Sequence, residues 1–450
     1  MIRRLIHSQP KTEMAILDTT SIIHRDRPVR LAEWLEGRAP AHLSTNAGTP
    51  LVAFQAWRSF KEAFAPELIA QAFEETSCAL GRKVRRSIDP FGGSGTTALA
   101  SQFLGADPTT IEVNPYLADL IEAKLTSYDT EALLDDYREL LASVRDYDGD
   151  VLFPGAPETF VAPGKNGRFL FNVPVARRIA GLKRAIETIK SDSHRRLFRV
   201  LLAPVAVQAS NVVISGKGRR YKSGWEAKQS SADHIIPAFD DAFVQAVYDI
   251  QRYRNRESLG YRLLRGDARQ LTPREGDFDV AIFSPPYPNS FDYTDVYNVE
   301  LWVCGYLKNG DDNRRLRMNT LRSHVQIKRD YGTSEMISPT LDLVQRNLES
   351  VRNKLWNSSI PDMVTAYFDD MREILNRLRL ALVPGGRSYL VVGDSRYEGV
   401  QIPVADILSE LAANMGFRKL AIEPFRSMRA SPQQGGRAEL LETLLTLELD

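Results

Sequence analysis

Residues Asp89-Pro-Phe-Gly-Gly-Ser-Gly-Thr-Thr97 constrain the fold more than any other stretch of the chain. A short run, Val84 to Ile88, precedes the glycines, and a helical pattern, Thr96 to Leu104, follows them. This spacing predicts a strand, a tight turn and a helix, with the turn at the strand's carboxyl end. Glycines there let a ligand approach the backbone, and the start of the helix offers free N–H groups. The next run, Thr109 to Val113, predicts a second strand with Glu112 at its tip, roughly twenty residues past the turn, where an acid suits ribose hydroxyls. A nucleotide-type ligand on an α/β sheet is expected.

The turn is not a phosphate cradle. It lacks the Gly-Lys-Ser/Thr of a phosphate loop and the Gly-x-Gly-x-x-Gly spacing of dinucleotide sites, and Asp89 would repel a phosphate. A carboxylate beside a glycine turn suits a cationic ammonium group instead, such as the methionine part of S-adenosylmethionine. Further on, Phe278-Asp-Val-Ala-Ile-Phe283 has the pattern of a buried strand and runs into Ser284-Pro-Pro-Tyr-Pro288. That loop belongs at the same carboxyl edge, where ligand crevices open in α/β sheets. Consecutive prolines fix φ and remove N–H donors, so apart from its hydroxyls the loop mainly accepts hydrogen bonds. Acceptors aimed at an exocyclic amino group would orient it toward a methyl donor, and the Tyr287 ring offers a stacking face to an extruded base.

The two motifs resemble those of the amino-methylating DNA methyltransferases, whose signatures are D-P-F-x-G-S-G-T-T and D/N/S-P-P-Y/F/W. The resemblance implies a Rossmann-like S-adenosylmethionine-dependent methyltransferase sheet. It assigns Asp89, Pro90, Phe91, Gly92, Gly95 and Thr96 to the cofactor turn, Glu112 to the ribose, Asp267 and Ala268 after Gly266 to the adenine, and Ser284, Pro285, Pro286 and Tyr287 to catalysis. Phe60 to Leu68 resembles the segment that covers the cofactor, through Lys61 and Phe64; the same residues also read as the start of an amphipathic helix with Pro66 at an early position. The Ser form of the catalytic motif is associated mostly with cytosine N4 and the Asp or Asn form with adenine N6. A site-specific DNA cytosine-N4 methyltransferase is therefore expected. Adenine-N6 transfer, RNA amino-methylation and an inactive nucleic-acid-binding relative stay open as alternatives.

A carbon methyltransferase needs a Pro-Cys nucleophile loop, and neither Cys78 nor Cys304 follows a proline. Both cysteines are expected to be buried and inert, and no metal site is expected, since they lie far apart without histidines at ligand spacing. No run is long and apolar enough for a membrane span and the amino terminus lacks a signal-peptide core, so a cytoplasmic protein is expected. The nuclease half of any restriction-modification pair must be another protein, because this chain carries no nuclease motif; a cognate restriction endonuclease or defence-system proteins are the partners the resemblance allows.

Lys and Arg number 58 against 57 Asp and Glu, but the charge is uneven. Between Arg177 and Lys228 stand 13 basic and 3 acidic residues, the kind of excess that matches a phosphate backbone. This stretch lies in a largely helical insertion, 126–260, where a minimal sheet needs a short connection. The resulting layout is an amino-terminal extension at 1–59, a cofactor-binding part at 60–125, the insertion as a target-recognition region, and a catalytic part at 261–450 with a small insertion at about 308–360. Helices are expected over Ala176–Ile189 and Leu197–Ala209, and a flexible loop over Ser215–Gly224. Lys217, Arg219, Arg220, Tyr221 and Lys222 on that loop, with Arg314 and Arg315 downstream, are the candidate contacts to double-stranded DNA. The acidic stretch Asp129–Asp150 reads as an exposed helix facing away from it. Phe291 and Tyr297 wall the base pocket or pack beneath the loop, and Asn289 and Asp292 are candidate polar contacts. A helix from Met363 to Leu382 is expected to close on Gly385-Gly386, ahead of a strand over Ser388–Val392 and a last one over Leu440–Leu449.

Overall fold

A computed structural model describes residues 27–36, 38, 40, 43, 52–58, 64–215, 218–332, 338–429 and 439–450. In chain order the strands are β1 (Arg86–Asp89), β2 (Asp107–Glu112), β3 (Val212–Ser215), β4 (Gly218–Tyr221), β5 (Arg262–Arg265), β6 (Phe278–Phe283), β7 (Leu382–Gly393), β8 (Ser395–Tyr397), β9 (Val400–Ile402), β10 (Phe417–Arg429) and β11 (Glu439–Leu449). Seven of them form one sheet in the order β10-β11-β7-β6-β1-β2-β5. The five from β5 to β7 are parallel, and β11 runs antiparallel to both β7 and β10.

This order fixes where a ligand can sit. From β1 the chain moves outward through β2 to β5, then returns to the other side of β1 as β6. Between β1 and β6 the connections leave in opposite directions and open a crevice beyond the carboxyl ends of the strands. The Asp89 turn follows β1 and the Ser284 loop follows β6, so the two motifs face each other across that crevice.

Both faces of the sheet are covered, which explains why its central strands read as continuous apolar runs. In β6, Val280 and Ile282 join one core while Ala281 and Phe283 join the other; Tyr389 and Val391 alternate with Leu390 and Val392 in β7 in the same way. Helix Ile360–Ala381 packs one face together with Val404–Ala413. Helices Pro66–Leu80, Thr96–Phe103 and Pro115–Leu125 cover the other. Helix Ile360–Ala381 passes directly into β7, so Gly385-Gly386 does not cap it. The glycines lie where β7 bulges, between Leu382 paired with Phe278 and Arg387 paired with Val280; Gly385 has φ +76° there.

The insertion does not stand apart from the sheet. Its helices Val173–Thr188, Asp192–Ala209 and Ile235–Arg252 pack on one another, and Asp192–Ala209 also packs on Pro115–Leu125 and on Asn298–Val303 after the Ser284 loop. The acidic stretch is amphipathic rather than wholly exposed: helix Thr130–Ser143 buries Leu133, Tyr137 and Leu140, and the Tyr137 ring stacks on Phe243 with centroids 3.6 Å apart. Residues expected as a loop form the β3–β4 hairpin, with Ile214 paired to Arg219 and Val213 to Arg220. Described residues before position 59 also join the body, through buried Trp34, Phe54 and Trp57; Phe54 N and Trp57 Nε1 both donate to Asp249 Oδ2, at 2.7 and 2.9 Å. Cys304 is buried as expected, whereas Cys78, on the outer face of helix Pro66–Leu80, is exposed.

Candidate active site

A cavity of about 340 Å³ lies at the carboxyl edge between β1 and β6. Asp89, Pro90, Phe91, Gly92 and Thr96 line it from the first motif, and Glu112 from the tip of β2. Gly266, Asp267 and Ala268 reach it beyond β5, and Ser284, Pro285, Pro286 and Tyr287 beyond β6. Phe64 closes it from the amino-terminal side, ahead of the helix that begins at Pro66. Lys61 and Lys217 lie outside the described residues.

The glycine turn is built without spare room. Gly92 N donates to Ile111 O at 2.9 Å, and a Cβ at Gly92 would stand 2.3 Å from Thr110 Cγ2. Gly95, at φ +82°, provides the left-handed residue from which helix Thr96–Phe103 starts. Beneath the turn, buried Lys124 donates to Ser94 O at 2.7 Å; burial lowers its amine to about 7. Asp89 accepts from Phe91 N at 2.8 Å, and Glu112 accepts from Gly93 N at 2.8 Å and Asn114 N at 2.7 Å. Burial pushes both carboxyls up to about 7, against these bonds. Each carboxylate keeps acceptor positions beyond those already used. A glycine-floored cradle with a buried carboxylate at a strand tip and a second acid beside it fits an adenosyl ligand that carries hydroxyls and a cation. Phe91 and Phe283, 5.8 Å apart, form an apolar wall between the two loops.

Asp267 differs from the other acids of the cavity. Arg269 holds its carboxylate, with Nε 3.0 Å from both oxygens and Nη2 2.7 Å from Oδ2, and Asp370 receives both Arg269 and Arg322. This network fixes the loop after β5 and leaves Asp267 fewer positions for a ligand than Glu112 has.

On the acceptor side, Tyr287 is half-buried and its hydroxyl donates to Glu442 Oε1 at 3.1 Å, with Ser284 Oγ 3.3 Å away. Glu442 lies on β11 and is paired with Arg426 of β10 at 2.6 Å. Asn289, Phe291 and Tyr297 line the cavity, whereas Asp292 does not: it is buried against Arg317 at 2.5 Å. Ser323 and His324, from the segment after helix Gly310–Met318, complete the wall. Burial pushes the His324 imidazole below its ordinary value, with Asp292 opposing the shift. Ser323 O accepts from Ser290 N at 3.0 Å, which ties this segment to the chain just after the Ser284 loop. Sequence reasoning missed Glu442, Arg426, Ser323 and His324, because no local motif surrounds them and the sheet brings them in from distant elements.

The basic candidates sit outside the cavity. Arg219 pairs with Asp295 at 3.0 Å, which sets the β3–β4 hairpin beside the helix Tyr293–Val296 that follows the Ser284 loop. Lys222 Nζ donates to Gln208 O at 2.7 Å, and Tyr221 packs between Arg168 and Trp225. Arg220, Arg314 and Arg315 are exposed.

Fold and paired loops together fit the class of S-adenosylmethionine-dependent methyltransferases. Over nearly its full length the chain is similar to two proteins named Type II methyltransferase. It is 26% identical to M.AvaI of Anabaena variabilis, with 94% of each chain covered. It is 25% identical to M.BsoBI of Geobacillus stearothermophilus, over 86% of this chain and 85% of that one. No protein-family model matches. Superposition on solved structures gives low overall agreement: TM-score 0.28 at 13% identity for TrmN from Thermus thermophilus, over 88% of this chain and 51% of that one, and 0.30 at 13% for the rRNA methyltransferase aviRa from Streptomyces viridochromogenes, over 92% and 96%.

Proposed function

We propose that this protein methylates the N4 amino group of a cytosine extruded from double-stranded DNA. One observation carries the reading: the Asp89–Glu112 cradle and the Ser284–Tyr287 loop line a single cavity. S-adenosylmethionine, held in that cradle, supplies a methyl group activated by its sulfonium. Glu112 would accept the ribose hydroxyls, Asp89 would face the ammonium end, and Phe64 would cover the ligand. Pro285 and Pro286 carry no N–H, so their loop presents acceptors to the amino group of the base. Ser284 Oγ adds another, and the Tyr287 ring provides the stacking face that an extruded base requires. Holding the amine in line with the methyl donor is the main catalytic contribution, and no covalent enzyme intermediate is needed. The proton released from the methylated amine can pass to water or to the loop.

Similarity to Type II methyltransferases over most of the chain supports a DNA substrate, with Arg220, Arg314 and Arg315 exposed to meet phosphates. Two assays test the reading: transfer of labelled methyl from S-adenosylmethionine to duplex DNA and to RNA, each with Ser284→Ala and Tyr287→Ala. Label in DNA that both substitutions abolish is the expected result. Label in RNA alone would replace the DNA reading, and label in neither would leave a binding protein.

A further inference from the structure

Glu442 belongs to neither motif, yet it holds Tyr287. Its Oε1 accepts from Tyr287 Oη at 3.1 Å and its Oε2 accepts from Arg426 Nε at 2.6 Å. It is buried at 5% exposure on β11, where it pairs with Gly393 of β7. A carboxylate paired to a guanidinium offers acceptors and no proton. The single phenolic proton of Tyr287 is therefore committed to Glu442. Ser284 Oγ lies 3.3 Å from the same phenolic oxygen, and with the tyrosine proton spent, the proton between them is the serine's. The chain of donors runs one way, from Ser284 through Tyr287 to Glu442. Ser284 Oγ is left with lone pairs, and no proton, for the cavity it lines.

We infer that Glu442, fixed by Arg426, is a positioning residue that makes Ser284 Oγ a pure acceptor toward the exocyclic amino group. An amino group brings donors, so this direction favours it and disfavours a carbonyl at the same place. The inference rests on amino-methyl transfer as the reaction, and it assigns a role to a cavity-lining residue that acts through Tyr287. Glu442→Gln keeps the shape but supplies an amide NH₂ that can donate to Tyr287 Oη. The tyrosine proton can then turn to Ser284, and the serine proton into the cavity.

Single-turnover methyl transfer at saturating DNA and cofactor tests this, with Glu442→Gln, Tyr287→Phe and the double substitution. Each single change is expected to slow transfer about 10-fold, the scale of one hydrogen bond lost from a charged acceptor. The cofactor dissociation constant should stay within about 2-fold, and the double variant should be no slower than the slower single one, since both break the same chain. Transfer by Glu442→Gln at the wild-type rate, or losses that multiply in the double variant, would overturn the inference. So would a Glu442→Gln protein that no longer binds cofactor, which would make the residue merely structural. If wild-type protein methylates no nucleic acid, the functional reading falls and takes this inference with it; an active wild type with an unaffected Glu442→Gln removes this inference alone.

Discussion

If the cradle holds S-adenosylmethionine as proposed, its two buried carboxyls set how tightly it does so. In the free protein burial raises both Asp89 and Glu112 to about 7, because their charged forms lose hydration that their backbone partners only partly replace. A ligand that brings a cation to one and hydroxyl donors to the other favours the ionised forms and lowers both values. Binding then releases protons near neutrality, and affinity must rise with pH until the carboxyls of the free protein are ionised. Calorimetric titration with S-adenosylmethionine should show affinity climbing from about pH 5.5 to about pH 7.5 and levelling above that, with proton release largest near the middle of the range. A flat profile would show that neither carboxylate meets the ligand. The types and positions of these two residues were legible in the sequence; their shared burial was not, because it depends on the helices that close over the turn.

The turn after β1 works as an element rather than as separate glycines. Gly92→Ala would push a methyl group to 2.3 Å from Thr110 Cγ2 on the neighbouring strand, so the turn must move away from β2 and from Glu112. A cost of ~1–3 kcal/mol in folding stability is expected from such overpacking, together with loss of cofactor binding, read by thermal unfolding with and without cofactor. An unchanged shift on adding cofactor would contradict the close packing. Periodicity and motif chemistry were enough to place β1, β2, β6 and the two loops, since their patterns are local. They failed at Gly385-Gly386, where a glycine pair after a helix pattern signals a cap and the structure instead uses it in a bulge of β7. They failed also within Ser215–Gly224, whose glycines and cations read as a loop but where Ser215 and Gly218–Tyr221 belong to paired strands. The acceptor side of the site was half legible: Ser284 and Tyr287 stand in a motif, while Glu442 and His324 depend on sheet order and on the packing of a distant segment.

At the scale of the whole molecule, the insertion packs against the elements that follow β6, with Arg219–Asp295 joining the hairpin to the helix after the Ser284 loop. The net balance of 58 basic and 57 acidic residues says nothing of where the charge lies; Arg220 on the hairpin and Arg314 and Arg315 on helix Gly310–Met318 are exposed. If Arg220, Arg314 and Arg315 meet DNA phosphates, replacing all three with Ala should weaken DNA binding across sequences and reduce the slope of log affinity against log salt by roughly two to three, with cofactor affinity unchanged. An unaltered slope would move the footprint elsewhere. The account as a whole turns on which atom receives the methyl group. Duplex DNA incubated with the protein and isotopically labelled S-adenosylmethionine, digested to nucleosides and resolved by mass spectrometry, answers this directly. Labelled N4-methylcytosine is the predicted product; label in N6-methyladenine, or in 5-methylcytosine, would contradict it.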